Sequence, residues 1–170
     1  IVTNIDRDHL NNYQGDYEKL LDAFVVFLNR IPPGGAAILN TSDAGVRRIL
    51  PRLRCNTVCF SLGDIDADFV ASNATSCEMN SVFCVNQRER KEVSLRLRLP
   101  GKHNVANALG AYALSILLGI DSSRVQSALS RFQGVGRRFF CHGKISVSDG
   151  EVVFLEDYGH HPSAIHQVIS

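Results

Sequence analysis

The seven residues from Val93 to Leu99 read V-S-L-R-L-R-L, apolar and polar side chains in unbroken alternation. A period of two fits a β-strand with one buried and one wet face, so the leucines go to a core and Arg96 and Arg98 to solvent. Phe69 to Ala71 and Ser81 to Asn86 read as two more strands of the same antiparallel section, which resumes at Glu92. The first third of the chain has another rhythm. Ile1 to Ile5 is a short strand candidate, Ala36 to Leu39 a second and Thr57 to Ser61 a third. Between them, apolar residues at helical spacing predict an amphipathic helix of about four turns from Asp16 to Arg30. Val46, Ile49 and Leu50 suggest a short helix stopped by Pro51. Strand, helix, strand, helix is an α/β order.

Gly101 to Leu118 and Ser122 to Phe132 then form a helix pair. Gly119 suits the position just past the first helix, and Asp121 suits the N-cap of the second. After Gly134 and Gly136 the pattern restarts, with strands at Gly143 to Val147 and Val152 to Leu155 around the turn Ser148-Asp149-Gly150, and a helix opened by Pro162 and cut off at Ser170. The restart sets a boundary near Gln133. Residues 1–133 read as one domain portion and 134–170 as the start of a second, unfinished one.

Composition narrows the classes. Of the 170 residues 45% are hydrophobic and 21% charged, ordinary globular usage that excludes a disordered, collagenous or coiled-coil chain. The formal net charge of +1 gives no general field for nucleic acid or anionic lipid. No apolar run reaches the roughly 18 residues of a spanning helix, and these residues do not open with the basic stretch and apolar run of a signal peptide. Five cysteines without a CxxC pair indicate neither a disulfide framework nor a zinc site, and fit a reducing cytoplasm. The chain starts at Ile1 and its one methionine is Met79, so a missing upstream portion is expected.

Three polar clusters lie at element ends. Asn4-Ile5-Asp6-Arg7-Asp8-His9 follows the first strand candidate; a histidine beside carboxylates suits a metal ligand or a base, and equally a solvated loop. Gly101-Lys102-His103-Asn104-Val105-Ala106-Asn107 opens the most apolar helix. Asn104 and Asn107 share a face, and two carboxamides can read a purine edge. Alternatively, Asn104 caps the helix and Asn107 is a satisfied core residue; a buried Asn is costly without a partner, which favours function. The third cluster runs from G-V-G-R-R-F at Gly134 to E-D-Y-G-H-H-P at Glu156. Its glycines do not make GxGxxG, its adjacent arginines suit phosphates, and Asp157 to Pro162 sits where a strand becomes a helix. His160 and His161 beside an aspartate invite zinc, but neighbouring histidines in a turn seldom face one ion. GxxxxGK[ST], GxSxG, HExxH and an EF-hand loop are all absent from the sequence.

Taken together, V-T-N-I-D-R-D-H-L followed by Y-Q-G-D-Y, then G-K-H-N-V-A-N-A, G-V-G-R-R-F and E-D-Y-G-H-H-P resemble the Mur ligases in order and approximate spacing. The D-Y-G-H-H-P and N-I-x-x-D-H wording favours the alanine-adding branch over the tripeptide-recycling one. The resemblance implies an α/β fold: the later part of the family's central P-loop-type ATPase domain, with an antiparallel strand section, followed by the beginning of a Rossmann-like C-terminal domain. It also implies a cytoplasmic enzyme of peptidoglycan precursor synthesis. ATP with Mg2+ would phosphorylate the carboxylate of UDP-N-acetylmuramate, and the amine of L-alanine would attack the acyl phosphate.

By position in these motifs, His9 matches the family's histidine near magnesium, and Asn104 and Asn107 match the pair at the adenine. Arg138 and Asp157 match the arginine and aspartate that close onto the nucleotide, Arg138 with a catalytic part as well. His103 and Tyr158 fall in cofactor-binding motifs and His160 in a substrate motif. Asn11 stands where the family has an acidic residue, a departure that bears on the metal shell. The UDP-binding domain and the phosphate-binding loop with its lysine are expected outside these residues, so the isolated chain is expected to be inactive and to bind ATP weakly or not at all. Two other readings remain open: another ligase of the superfamily, tripeptide-recycling or folate-polyglutamylating, and a non-catalytic nucleotide- or partner-binding module.

Overall fold

In the computed structural model, residues 1–64, 66–77, 79–88 and 92–169 are described, Gln167 by its backbone. A five-stranded sheet runs in the order β1 (Ala36–Asn40), β2 (Asn56–Leu62), β3 (Phe69–Cys77), β4 (Asn80–Gln87) and β5 (Val93–Leu97). The first three strands are parallel and the last three antiparallel, so β3 carries the change of direction. In β3 a register shift between Ser72 and Thr75, with Asn73 at a φ of 53°, marks a bulge.

The two strand rhythms have different burial. All of β1 after Ala36 is buried, since both its faces are covered. Ile38 joins Phe60, Phe83, Leu95 and Leu97 beneath helix α3 (Lys102–Leu117), while Ala37 and Leu39 meet Leu21 of α1 (Tyr17–Leu28) and Val46 and Ile49 of α2 (Ala44–Ile49). In β5, Leu95 and Leu97 are buried and Ser94 and Arg96 exposed, as expected for one covered face. Residue Arg98 is also exposed.

Close approach of α3 to the sheet depends on Gly110. A β-carbon there would lie 2.9 Å from Phe60 Cζ, and both residues are buried.

The expected first strand is not one. Only Val2 pairs, in a single parallel bridge to Leu39: its N–H donates to the Ile38 carbonyl and its own carbonyl accepts the Asn40 N–H. The backbone then leaves the sheet, because the Ile5 N–H donates instead to Asp43 Oδ1 at 3.2 Å. Helix α1 is shorter than expected, capped at Asp16, whose carboxylate accepts the Glu18 N–H. A short 3-10 turn, Leu50–Arg52, carries the chain across Pro51.

Helix α4 (Ser122–Arg131) is capped by Asp121, and Gly119 takes a φ of 77°. The hairpin β6 (Phe140–Val147) and β7 (Gly150–Glu156) forms a separate two-stranded antiparallel sheet, followed by α5 (Pro162–Ile169). The expected end of that helix at Ser170 lies outside the described residues. No helix among the described residues is long and apolar enough to cross a membrane.

Candidate functional site

Helix α3 buries Val105, Leu109 and Tyr112, which turns Asn104, Asn107 and Ala111 towards the opposite side. There α3 and α4 meet residues 134–168 around a cavity of about 930 Å³, within the usual range of a small-molecule pocket. His103, Asn104, Asn107, Arg138 and Asp157 all line it, against apolar surface from Leu97, Leu129 and Phe132. Five of the eight residues singled out in the sequence therefore converge, although Asp157 is more than fifty residues beyond Asn104 in the chain.

Their hydrogen bonding differs from residue to residue. The Asn104 amide nitrogen donates to the Pro100 carbonyl at 2.7 Å, which leaves its oxygen available as an acceptor. Asn107 is exposed, not buried: the helix needs only one apolar face, and Asn107 occupies the cavity side. His103 is half-buried, with Nδ1 shielded and without a partner among the described residues. Burial lowers its pKa, and the nearby Asp157 carboxylate opposes that shift. A buried imidazole nitrogen without a partner is the kind of atom that a ligand satisfies.

Asp157 does two structural jobs. Its Oδ2 accepts the Phe139 N–H at 2.8 Å and its Oδ1 accepts the Gly159 N–H at 2.6 Å. The Arg138 backbone is thereby held beside the turn that leads into α5. The Tyr158 N–H also donates to the Arg137 carbonyl, and the Tyr158 ring lies 4.8 Å from the Arg137 guanidinium carbon and 5.7 Å from that of Arg138. Such distances are within cation–π range. His160 packs edge-on to the same ring and bonds through Nδ1 to the Tyr158 carbonyl. Tyr158 and His160 form the outer support of the arginine pair and are not part of the cavity lining.

His9 also lies outside the cavity lining. It sits at a φ of 53°, its side chain is 75% exposed, and Nε2 is 3.6 Å from Asp8 Oδ2. No group of three or more metal-ligating side chains occurs among the described residues. His9 and Asp8 alone do not make a magnesium site, since that ion needs a near-octahedral set of oxygen-rich ligands. Nor do the paired histidines make a zinc site: His160 turns to the Tyr158 carbonyl, while His161 Nδ1 lies 3.5 Å from Asp6 Oδ2.

The Asp6–His161 contact had no sequence signal, because spacing along the chain does not report pairs this far apart. Val135 and Phe139, which also line the cavity, lie in the G-V-G-R-R-F motif, although neither was singled out as a site residue.

The family described as "Mur ligase middle domain" matches residues 1–115. The chain belongs to the Mur ligase family. Among solved structures, it is similar to UDP-N-acetylmuramate-alanine ligase MurC from Thermotoga maritima, at 26% identity and a TM-score of 0.77, over 98% of this chain and 36% of that one. It shares the fold of MurF from Acinetobacter baumannii, at 23% identity and a TM-score of 0.80, over 97% of this chain and 35% of that one. A MurF ligase from Thermotoga maritima in complex with ADP has the same fold, at 19% identity and a TM-score of 0.76, over 98% of this chain and 36% of that one. This Mur ligase chain thus spans about a third of the length of these structures. Asn104 and Asn107 lie within the matched segment, whereas Arg138 and Asp157 lie beyond it.

Proposed function

We propose that this chain is part of an ATP-dependent ligase of peptidoglycan precursor synthesis that joins L-alanine to UDP-N-acetylmuramate through an acyl phosphate. The observation that carries the reading is the convergence of Asn104, Asn107, His103 and Arg138 on one cavity of about 930 Å³, a volume suited to a nucleoside. Residues 1–133 would be the later portion of the central ATPase domain and 134–170 the beginning of the C-terminal one. The MurC likeness and the D-Y-G-H-H-P wording support the alanine-adding branch.

In this reading the Asn104 side-chain oxygen, which its amide's bond to the Pro100 carbonyl leaves available, and the Asn107 carboxamide hold the purine edge. His103 Nδ1 gains the partner that it lacks. Arg138 offers a fixed positive charge to a phosphate oxygen, where charge develops in phosphoryl transfer. Asp157 keeps Arg138 in position through the Phe139 amide, and the Tyr158 ring stacks on the arginine from outside. His160 belongs with the acceptor substrate.

Magnesium, when bound, would screen the phosphate charge. His9 supplies at most one ligand, and water and phosphate oxygens would complete the shell. The enzyme would work in the cytoplasm.

Amino-acid dependence of ATP hydrolysis by the complete protein tests the assignment. Stimulation by alanine in the presence of UDP-N-acetylmuramate is expected. A response to glutamate and not to alanine would exclude the alanine-adding branch.

A further inference from the structure

Asp6 touches the far end of the chain. Its Oδ2 lies 3.5 Å from His161 Nδ1, with the side chains 36% and 27% exposed. The Ser163 hydroxyl faces the same carboxylate and is the main reason that its pKa lies below the usual value, with His161 a smaller contributor. Both partners sit at the start of α5, the end of a helix that favours a negative charge.

Asp6 is presented from a fixed backbone. On one side the Ile5 N–H donates to Asp43 Oδ1 at 3.2 Å, and the Ile5 carbonyl accepts the Tyr17 hydroxyl at 2.8 Å. On the other, the Arg7 guanidinium carbon lies 5.0 Å from the Tyr17 ring centre. Beyond the contact, α5 leads straight to the cavity. Ala164 and Val168 of α5 line it, as does Asp157, a few residues before His161. The loop that precedes α1 thus bears on the cavity wall through two side chains at the start of α5.

We infer that Asp6 is a positioning residue: its contacts with His161 and Ser163 seat α5, and with it the Ala164 and Val168 wall, over the side chains that α3 presents. Its effect on nucleotide use rests on the ligase reading above, whereas its effect on α5 does not. Loss of a part-exposed carboxylate and its contacts at a helix start has a modest cost, so the expected changes are a few-fold.

The test uses the complete protein and hydrogen exchange. In Asp6→Ala the amides of residues 164–169 should exchange roughly three- to tenfold faster, with those of α3 unchanged. Asp6→Glu should restore most of the protection, and His161→Ala should speed the same amides by less than Asp6→Ala does, because Ser163 still faces the carboxylate. The double variant should be no worse than Asp6→Ala, because that change already removes the contact His161 makes. The KM for ATP should rise by a similar factor, with kcat within about twofold.

Unchanged α5 exchange in Asp6→Ala and His161→Ala, or fully additive effects in the double variant, would overturn the inference. Faster exchange with an unchanged KM would overturn the link to the cavity. Should Asp6→Ala not fold, His161→Ala alone carries the same comparison. Wild-type protein that hydrolyses no ATP with any amino acid would contradict the ligase reading, while α5 exchange would still decide the role of Asp6.

Discussion

Asp157 Oδ2 accepts the Phe139 N–H at 2.8 Å, across 18 residues of chain. Phe139 has a φ of 48° and Arg137 a φ of 61°, both in the left-handed region, where a residue with a β-carbon is strained. The carboxylate therefore holds a costly backbone shape beside the cavity. Its Oδ1 anchors Gly159 as well.

Asp157→Ala removes both acceptors. A loss of about 1–3 kcal/mol in the stability of the 134–169 segment is expected, from N–H groups left without a partner. Urea unfolding followed by a probe on β6 or β7 would measure it. Asp157→Asn should fall between the wild type and the alanine variant, since one oxygen still accepts.

Tyr158 separates ring stacking from hydroxyl chemistry. Tyr158→Phe should leave stability unchanged, because both arginines lie against the ring. Tyr158→Leu removes the aromatic face and should cost about 0.5–1 kcal/mol for each of the two cation–π interactions. Thermal melts of the two variants side by side give the comparison.

Gly110→Ala puts a β-carbon 2.9 Å from Phe60 Cζ. Better helix propensity works in its favour by up to about 1 kcal/mol, but overpacking typically costs about 1–3 kcal/mol. Net destabilisation is expected. Phe60→Leu added to Gly110→Ala should recover part of it, which chemical denaturation of the single and double variants would show.

His103 predicts a pH dependence of stability. Burial holds its folded pKa below the ordinary histidine value of 6.5, so the unfolded chain takes up the proton first. The associated stability is complete above about pH 6.5 and is lost as pH falls from there through the folded pKa. Denaturation midpoints between pH 5 and 8 should show this slope, and His103→Gln should remove it.

Much of this was legible in the chain. The alternation from Val93 to Leu99 marked β5 and its buried face because the period of a strand is a local property. Asp121, Gly119 and Pro162 marked helix ends for equally local reasons. The Ile1 to Ile5 segment misled: β-branched composition suits a strand, but Asp43 competes for the Ile5 amide, and Asp43 is distant in sequence. For Asn107 the apolar neighbours left a core position and a ligand-facing one both open, and the turn of the helix decides for the cavity. The motifs brought out His103, Asn104, Asn107, Arg138 and Asp157, yet no spacing rule joins Asp6 to His161. Contacts between the ends of a chain are a product of the whole fold.

The proposed hold of Asn104 and Asn107 on the adenine of ATP, in the cavity beneath residues 134–168, is open to one direct test. Calorimetric titration of the complete protein with ATP and with GTP, for the wild type and for Asn104→Ala/Asn107→Ala, tests it most directly. Preferred binding of ATP and at least a roughly tenfold weaker affinity in the double variant are expected, the size of one missing bidentate pair. ATP affinity unchanged in the double variant would contradict the account.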